Sequence, residues 1–317
     1  MTTEETNTLT ELNYKDRVAV DGSFPSLPNG LLFLLVKART RWTIEKSPNK
    51  QTVAFFSAKE SSKKVDKARA LGQPVFTDEN ARDILGPPLK GFRKRFEHLV
   101  ANEPDYYINH FLEIGDPAPP ELLSRVEQRV GFPLPEAARN LFSELNGLTW
   151  LWTYQDMQLD PIEELTISDA GDPGSALWQQ IHRAAEGKNP AMGLTCIPDV
   201  ETIFFTDWYL GPDPVDPKAK VKVGRRKVAA PDFYGNLFRF DFFDGFYPCA
   251  LWADKETEDF YIVYGDDHGA TWEEFAPVPF EGYMEALIVE KADNRLMTSG
   301  GMKLSHLPYR LLKMFTR

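Results

Sequence analysis

The stretch from Glu121 to Leu148, ELLSRVEQRVGFPLPEAARNLFSELNGL, constrains this chain more than any other. Leu122, Leu123, Val126 and Val130 recur at helical spacing. Ala138, Leu141, Phe142 and Leu145 do so again after a Gly-Phe-Pro-Leu-Pro elbow. Pro135 suits a first helical turn, where its missing N–H costs nothing, and Gly147 suits the left-handed position that ends a helix. These residues specify a helical hairpin with one apolar side, and they carry no chemistry of their own.

A chain of 317 residues with 42% hydrophobic side chains can build about two domains with real cores. The opening MTTEETNTLTELNYKDR is polar and acidic, which reads as no secretory signal, with residues 1–11 a flexible lead. The longest strongly apolar run, Leu31 to Val36, is far short of the ~20 residues a bilayer needs. Cys196 and Cys249 are too few for a disulfide scaffold or a zinc site. The expectation is a cytoplasmic protein with no membrane contact, no cofactor and no metal.

The net charge of −11 is unevenly spread. Residues 12–95 hold 17 Lys+Arg against 8 Asp+Glu, whereas residues 119–290 hold 13 against 30. Two modules with different partners would show such asymmetry. So would a basic small domain and an acidic large one that simply attract each other.

In the first module, Asp16 to Asp21, Trp42 to Glu45 and Thr52 to Ser57 read as strands, with a helix over Asn29 to Thr40 that buries Leu31, Leu32, Leu35 and Val36. Ser61 or Ser62 can cap a helix carrying Val65, Ala68 and Leu71, ended by Gly72. Pro74-Val75-Phe76 is a short buried strand, and Thr77 caps a further helix stopped by Gly86-Pro87-Pro88. The order β-α-β-β-α-β-α calls for a small α/β domain with a mostly parallel four-stranded sheet.

That order, with the run Ser-Lys-Lys-Val-Asp-Lys-Ala-Arg-Ala-Leu-Gly-Gln-Pro-Val, resembles a BRCT domain of the bacterial DNA ligase type over residues 12–90. The resemblance implies a phosphate-holding Ser or Thr before a Gly at the end of the first strand, and a Lys opening the second helix. Lys63 or Lys64 matches the lysine, but Asp21 precedes Gly22 and its carboxylate would repel a phosphate. Thr40-Arg41 stands where the family has a Gly-Gly pair. A basic face formed by Lys37, Arg39, Arg41, Lys63, Lys64, Lys67 and Arg69 remains a candidate for salt-sensitive contact with nucleic acid, against ordinary solvated lysines.

Residues 91–118 read as a helical linker. Phe92, Phe96, Leu99 and Val100 share a helix face, Tyr106 to Leu112 give a short turn, and Asp116-Pro-Ala-Pro-Pro marks a boundary. Beyond the helical hairpin the chain turns strand-rich. Thr149-Trp-Leu-Trp-Thr-Tyr alternates like a half-buried strand, while Ile162 to Ile167 and Thr202 to Leu210 read as strands or loops. Segments from Gly235, Tyr247 and Tyr261 form an antiparallel meander, turning at Asp244-Gly245 and at the acidic loop Asp254 to Asp259. Thr271 caps a closing helix from Trp272, and Phe280 to Glu290 form another helical piece. Two insertions interrupt the domain. Residues 168–198 place Leu177, Trp178, Ile181 and Ala185 on a helix face. Residues 211–231 carry Lys218, Lys220, Lys222, Arg225, Arg226 and Lys227, either as a partner-binding arm or as a solvated hairpin. In the tail, residues 291–317, Leu304, Leu307, Leu311, Leu312 and Phe315 suggest docking.

The glutamate-bearing helix, the Gly-x-x-Leu-Pro elbow, the second helix and Asn146-Gly147 resemble the opening signature of the SUKH superfamily, the Smi/Knr type. A meander followed by Trp272-Glu-Glu-Phe continues that order over residues 119–290. The resemblance implies an α+β domain with an antiparallel meander flanked by helices. It also implies a binding module, since many members are immunity proteins that neutralise toxins.

Catalytic signatures are not found: the sequence has no P-loop, no Gly-x-Gly-x-x-Gly, no His-Glu-x-x-His and no Gly-x-Ser-x-Gly. His268 after Asp266-Asp267 reads as a hydrogen-bonding turn, and Glu163-Glu164 and Glu273-Glu274 as pairs an acidic chain holds by chance. Cys196 and Cys249 read as small core fillers. The expectation is a non-enzymatic binding protein whose acidic, aromatic-rimmed face, with Asp254, Glu256, Glu258, Asp259, Asp266, Asp267, Trp208 and Tyr209, captures a basic toxin domain. The alternative is an adaptor whose first module binds DNA or a DNA-associated protein through Lys63, Lys64, Lys67 and Arg69.

Overall fold

The computed structural model describes residues 17–21, 24, 31–32, 34–35, 43–102, 107–185, 192–208, 210–224, 226–243, 248–265, 272, 277–289 and 291–292. Expectations for residues 1–16, Lys37 to Arg41, Asp244-Gly245, Asp266 to Thr271, Glu273, Glu274 and the tail beyond 292 lie outside them. The chain divides into two compact units, one ending at Pro88 and the next beginning at Leu89.

The first unit contains β1 (Arg17–Asp21), β2 (Thr43–Glu45), β3 (Thr52–Ser57), α1 (Lys63–Ala70), β4 (Val75–Phe76) and α2 (Ala81–Leu85). Its sheet runs β2-β1-β3-β4, and every pairing is parallel. A parallel sheet needs cover on both faces, and β3 is accordingly buried along nearly its whole length. Ala19, Phe55, Val65 and Ala68 form a core between sheet and α1. Ser62 caps α1 by accepting from the Val65 N–H at 3.2 Å. Gly72, at φ +71°, follows the helix. Gln73 then explains the Gly-Gln-Pro run. Its amide donates to the carbonyls of Asn49 and Thr52, both at 2.6 Å, tying the loop after α1 to the start of β3.

The second unit opens with α3 (Phe92–Ala101) and β5 (Tyr107–Ile114). It continues through α4 (Pro120–Val130), α5 (Glu136–Phe142), β6 (Leu148–Tyr154), α6 (Ile167–Gly171), α7 (Ala176–Ala184), β7 (Met192–Ile197) and α8 (Val200–Phe205). Then come β8 (Lys220–Val223), β9 (Arg226–Ala229), α9 (Ala230–Tyr234), β10 (Leu237–Asp241), β11 (Cys249–Asp254), β12 (Asp259–Tyr264), β13 (Val278–Pro279) and α10 (Phe280–Val289). Two antiparallel sheets, β5-β6-β7 and β10-β11-β12-β13, are joined by helices, and β8-β9 forms a separate two-stranded ribbon.

The helical hairpin forms as its periodicity dictates. α4 buries Leu122, Leu123, Val126 and Val130; α5 buries Ala138, Leu141 and Phe142. Gly131 ends α4 in the left-handed region, and Glu127 fixes the elbow by accepting from the Leu134 N–H at 2.9 Å and from Arg139. The second helix stops at Phe142, so Gly147, at φ +101°, shapes the entry to β6 rather than closing a helix.

The segment expected as a linker is built into this unit. Glu144 caps α3 from outside, its carboxylate accepting from the N–H groups of Gly91 at 2.6 Å and Arg93 at 3.1 Å. Arg95 forms a two-pronged pair with the fully buried Glu285 of α10, at 2.6 and 2.8 Å. Most of the stretch Tyr106 to Leu112, expected as a short turn, lies in the edge strand β5, whose alternation is hidden by a bulge between Asn109 and Phe111. The domain boundary therefore falls at Pro88–Leu89, and the stretch at 116–118 is pinned instead: the Gly115 N–H donates to the Gly147 carbonyl and the Ala118 N–H to that of Phe142.

β6 is buried on both faces rather than half-buried. Trp150 and Trp152 lie on one side, with their indole N–H groups donating to Asn109 Oδ1 and the Lys291 carbonyl. Gly193 of β7 makes room for Trp152: a Cβ there would stand 2.1 Å from its Nε1. Residues 168–198, expected as an insertion, supply α6, α7 and β7, and β7 pairs with β6 along its length. Thr202 to Phe205 are helical within α8, capped by Asp199 on the Thr202 N–H at 2.8 Å. Trp272 is described outside any helix.

The two sheets meet at Asp241. Fully buried at the end of β10, it accepts from the Cys196 N–H at 2.8 Å and the Thr195 hydroxyl at 2.9 Å on β7, and from the Tyr283 hydroxyl on α10. Burial pushes its carboxyl above the usual range, against the lowering effect of these three donors. Asp241→Ala leaves three buried donors without an acceptor. It is expected to destabilise the second unit by about 3–5 kcal/mol, read as a fall in the urea midpoint at unchanged m-value.

Candidate binding surface

The acidic turn between β11 and β12 was the first candidate, and its carboxylates divide sharply. Asp254 is only 3% exposed. It pairs with Arg226 of β9 through both guanidinium nitrogens and accepts from Thr257 Oγ1 at 2.8 Å and the Glu256 N–H at 3.2 Å. Arg226 also pairs with Glu256 and lies 5.4 Å from the Trp252 ring centroid. Asp254 is therefore an internal clasp that fastens the ribbon to the meander, not a group presented to a partner. Asp259 is half-buried and accepts from the Phe260 N–H; burial pushes its carboxyl up, with Glu281 and Asp254 adding to the effect. Glu256 and Glu258 remain exposed. Asp266, Asp267 and Tyr209 lie outside the described residues.

Trp208 is half-buried, donating its indole N–H to the Ile203 carbonyl at 3.0 Å, with its ring 5.7 Å from that of Phe242. It packs on a core cluster of Leu151, Met157, Leu165, Trp178, Ile181 and neighbours. Leu159, Ile162 and Ile167 lie half-covered on the same cluster. Between and beside them Asp156, Asp160, Glu163, Glu164 and Asp172 are exposed. The segment is well held: Met157 and Leu165 are buried, Thr166 and Asp169 form a reciprocal cap on α6, and Ser175 caps α7. An acidic rim around half-covered apolar side chains is thus a feature of residues 155–172 together with Trp208. The signal was in the sequence, which has no lysine or arginine between Arg139 and Arg183.

In the first unit Lys63, Lys67 and Arg69 are exposed on α1. Lys64 differs. Its ammonium donates to Asp21 Oδ1 at 2.7 Å and to the Lys46 carbonyl at 3.2 Å. The carboxylate expected to repel a phosphate thus takes the lysine for itself, which removes Lys64 from the basic face.

The remaining polar groups of interest are sealed in. Cys196 and Cys249 are free and buried; burial pushes the Cys196 thiol up to about 12 and the Cys249 thiol well above its ordinary value. Tyr264 and Tyr283, beside Asp241, are likewise raised by burial. His110 is lowered by burial, with its Nε2 2.7 Å from Thr153 Oγ1. Among the described residues no three His, Cys, Asp or Glu side chains are grouped to hold a metal. Among them, too, no helix is long and apolar enough to cross a membrane. No family model, curated protein or solved structure matches the chain significantly.

Burial raises the Asp254 carboxyl, but the Arg226 and Thr257 hydrogen bonds outweigh it and hold the group below the usual carboxylate range. A folded pKa below the unfolded one means that the clasp stabilises above the unfolded value, roughly 4, and is lost as pH falls through the folded value. Asp254→Asn is accordingly expected to cost about 1–2 kcal/mol near pH 7. That difference from wild type should shrink as pH falls below about 4 in urea melts run across pH.

Proposed function

We propose that this protein is a non-enzymatic binding module that captures a basic protein, with an immunity-type role against a toxin domain. The carrying observation is the surface of residues 155–172, where Leu159, Ile162 and Trp208 are half-covered among five exposed carboxylates, Asp156, Asp160, Glu163, Glu164 and Asp172. Such a surface suits a partner that presents lysine and arginine. The carboxylates accelerate encounter, and the apolar side chains set the lifetime of the complex. The SUKH-like order of helical hairpin, meander and packed helix supports the same reading. The buried free thiols suit a reducing compartment, and we place the protein in the cytoplasm.

A second reading makes the chain an adaptor whose BRCT-like unit touches DNA or a DNA-associated protein. What favours it is the exposure of Lys63, Lys67 and Arg69 on one helix.

The test is affinity isolation from the native host with the full chain and with an Asp160→Lys, Glu163→Lys, Glu164→Lys variant. The wild type is expected to recover one small basic protein, to suppress its toxicity on co-expression, and to associate with it at least about tenfold faster than the variant at low salt. Equal recovery by both chains would sink the proposal. Recovery of replication or repair components, lost on Lys63→Glu, Lys67→Glu, Arg69→Glu substitution, would put the adaptor in its place.

A further inference from the structure

The acidic surface of residues 155–172 has its complement within the chain itself. Residues 155–172 hold six carboxylates and no lysine or arginine. Residues 294–317 reverse this: they hold Arg295, Lys303, Arg310, Lys313 and Arg317 and no carboxylate. Leu304, Leu307, Leu311, Leu312 and Phe315 are interleaved with those cations. The structure fixes where this segment sets out. Ala292 is buried, and its N–H donates to the Leu287 carbonyl at 3.0 Å. The Lys291 carbonyl accepts from the Trp152 indole at 2.7 Å, and its ammonium lies 4.5 Å from the Tyr107 ring centroid. Tyr107 is the register partner of Tyr154, the last residue of β6, and Asp156 follows two residues on. The basic segment and the acidic surface therefore leave the same end of one sheet.

We propose that residues 293–317 dock in cis on the surface of residues 155–172, so that a basic partner binds there only by displacing them. The inference rests on the reading of that surface as a site for basic protein, and it names the surface's resident occupant. Asp169 serves the α6 cap, and Asp172 accepts from the Gly174 N–H at 2.8 Å. The contact carboxylates are accordingly Asp156, Asp160, Glu163 and Glu164, all exposed. The leucines and Phe315 meet the half-covered Leu159, Ile162 and Trp208, while long lysine and arginine stems carry their charge out to the rim. Distance permits the contact. An extended chain covers up to about 3.3–3.6 Å per residue, so Leu304 reaches about 40 Å from Ala292. A unit of this size has a radius of gyration of only about 17 Å. Joined through the chain, the two partners meet at an effective concentration of about a millimolar, so a contact of modest affinity is populated without a second molecule. That tether favours the chain's own segment over the same segment of another copy.

The experiment uses the full chain, treated with a zero-length carbodiimide cross-linker and read by peptide mass spectrometry. Amide links from Lys303 or Lys313 to Asp156, Asp160, Glu163 or Glu164 are expected, and they should fall at least about threefold between about 50 and 500 mM salt. Amide hydrogen exchange over residues 156–165 supplies the second readout. Arg310→Glu, Lys313→Glu, Arg317→Glu together should speed it at least about threefold. Adding Asp160→Lys, Glu163→Lys, Glu164→Lys to that variant exchanges the two charge patterns and should restore slow exchange. Links confined to carboxylates outside residues 155–172, or exchange unchanged by the charge reversal, would overturn the docking. So would failure of the charge swap to restore slow exchange. In an equal mixture of nitrogen-15-labelled and unlabelled chains the links should join residues of one chain; links between chains would overturn docking in cis. No partner enters either readout. Docking without recovery of a basic protein from the host would sink the capture reading alone, and recovery without docking would sink this inference alone.

Discussion

The second unit depends on one buried carboxylate. Asp241 ends β10 and draws three donors to itself from two other elements, Thr195 and Cys196 on β7 and Tyr283 on α10. The same junction is continued by the Phe242 N–H, which donates to the Cys196 carbonyl at 3.0 Å. Without an acceptor at 241, the junction between the three-stranded and four-stranded sheets would rest far more on apolar contact, which is non-directional. With one, their relative position is specified by hydrogen bonds whose donors have no water to turn to. The raised thiols of Cys196 and Cys249 and the raised phenols of Tyr264 and Tyr283 follow from the same dry, negatively charged surroundings.

The helices join this junction through charges placed at a distance in sequence. Glu285, on the helix that brings Tyr283 to Asp241, receives Arg95 from α3, and the start of α3 is capped by Glu144 just after α5. Arg93, in the same first turn of α3, donates to the carbonyl of Gly115 at 3.0 Å. Gly115 has no room for a side chain, since a Cβ would lie 1.9 Å from the Asn146 oxygen. A segment that composition presents as a linker is therefore a structural tie between the hairpin and the last helix.

Legibility in the sequence followed the range of the interaction. The hairpin of α4 and α5 was readable because periodicity and elbow residues act within a turn or two, and the meander because Asp254 to Asp259 separate two β-rich runs. The parallel sheet of the first unit was readable from alternating elements. β5 was not, because a bulge at His110 breaks its alternation and its partner β6 lies some forty residues on. α8 was not, because Thr202-Ile-Phe-Phe favours a strand locally while the Asp199 cap and the contact with α4 decide for a helix. The candidate site divided in the same way. Exposure of Glu256 and Glu258 follows from the turn, but withdrawal of Asp254 depends on an arginine 28 residues earlier, and that of Lys64, on α1, on Asp21 at the end of β1. Local pattern shows which residues are charged, while long-range pairing decides which charges are left to face outward.

That division of charge rests on a single register in the ribbon. Side chains alternate from one face of a strand to the other, so a slip of one residue would exchange every inward position with an outward one. Arg226 would then face solvent, and Lys227 would stand against Trp252. The valines of β8 oppose such a slip by their burial, and the short connection between Val223 and Arg226 opposes it by geometry, with Gly224 at φ +60° as primed hairpin turns require. Arg226 adds a third constraint, because only the observed register delivers its guanidinium to Asp254 and Glu256. The clasp and the exposure of the ribbon lysines are thus two consequences of the same parity: whatever holds Arg226 against the meander also holds Lys220, Lys222 and Lys227 away from it.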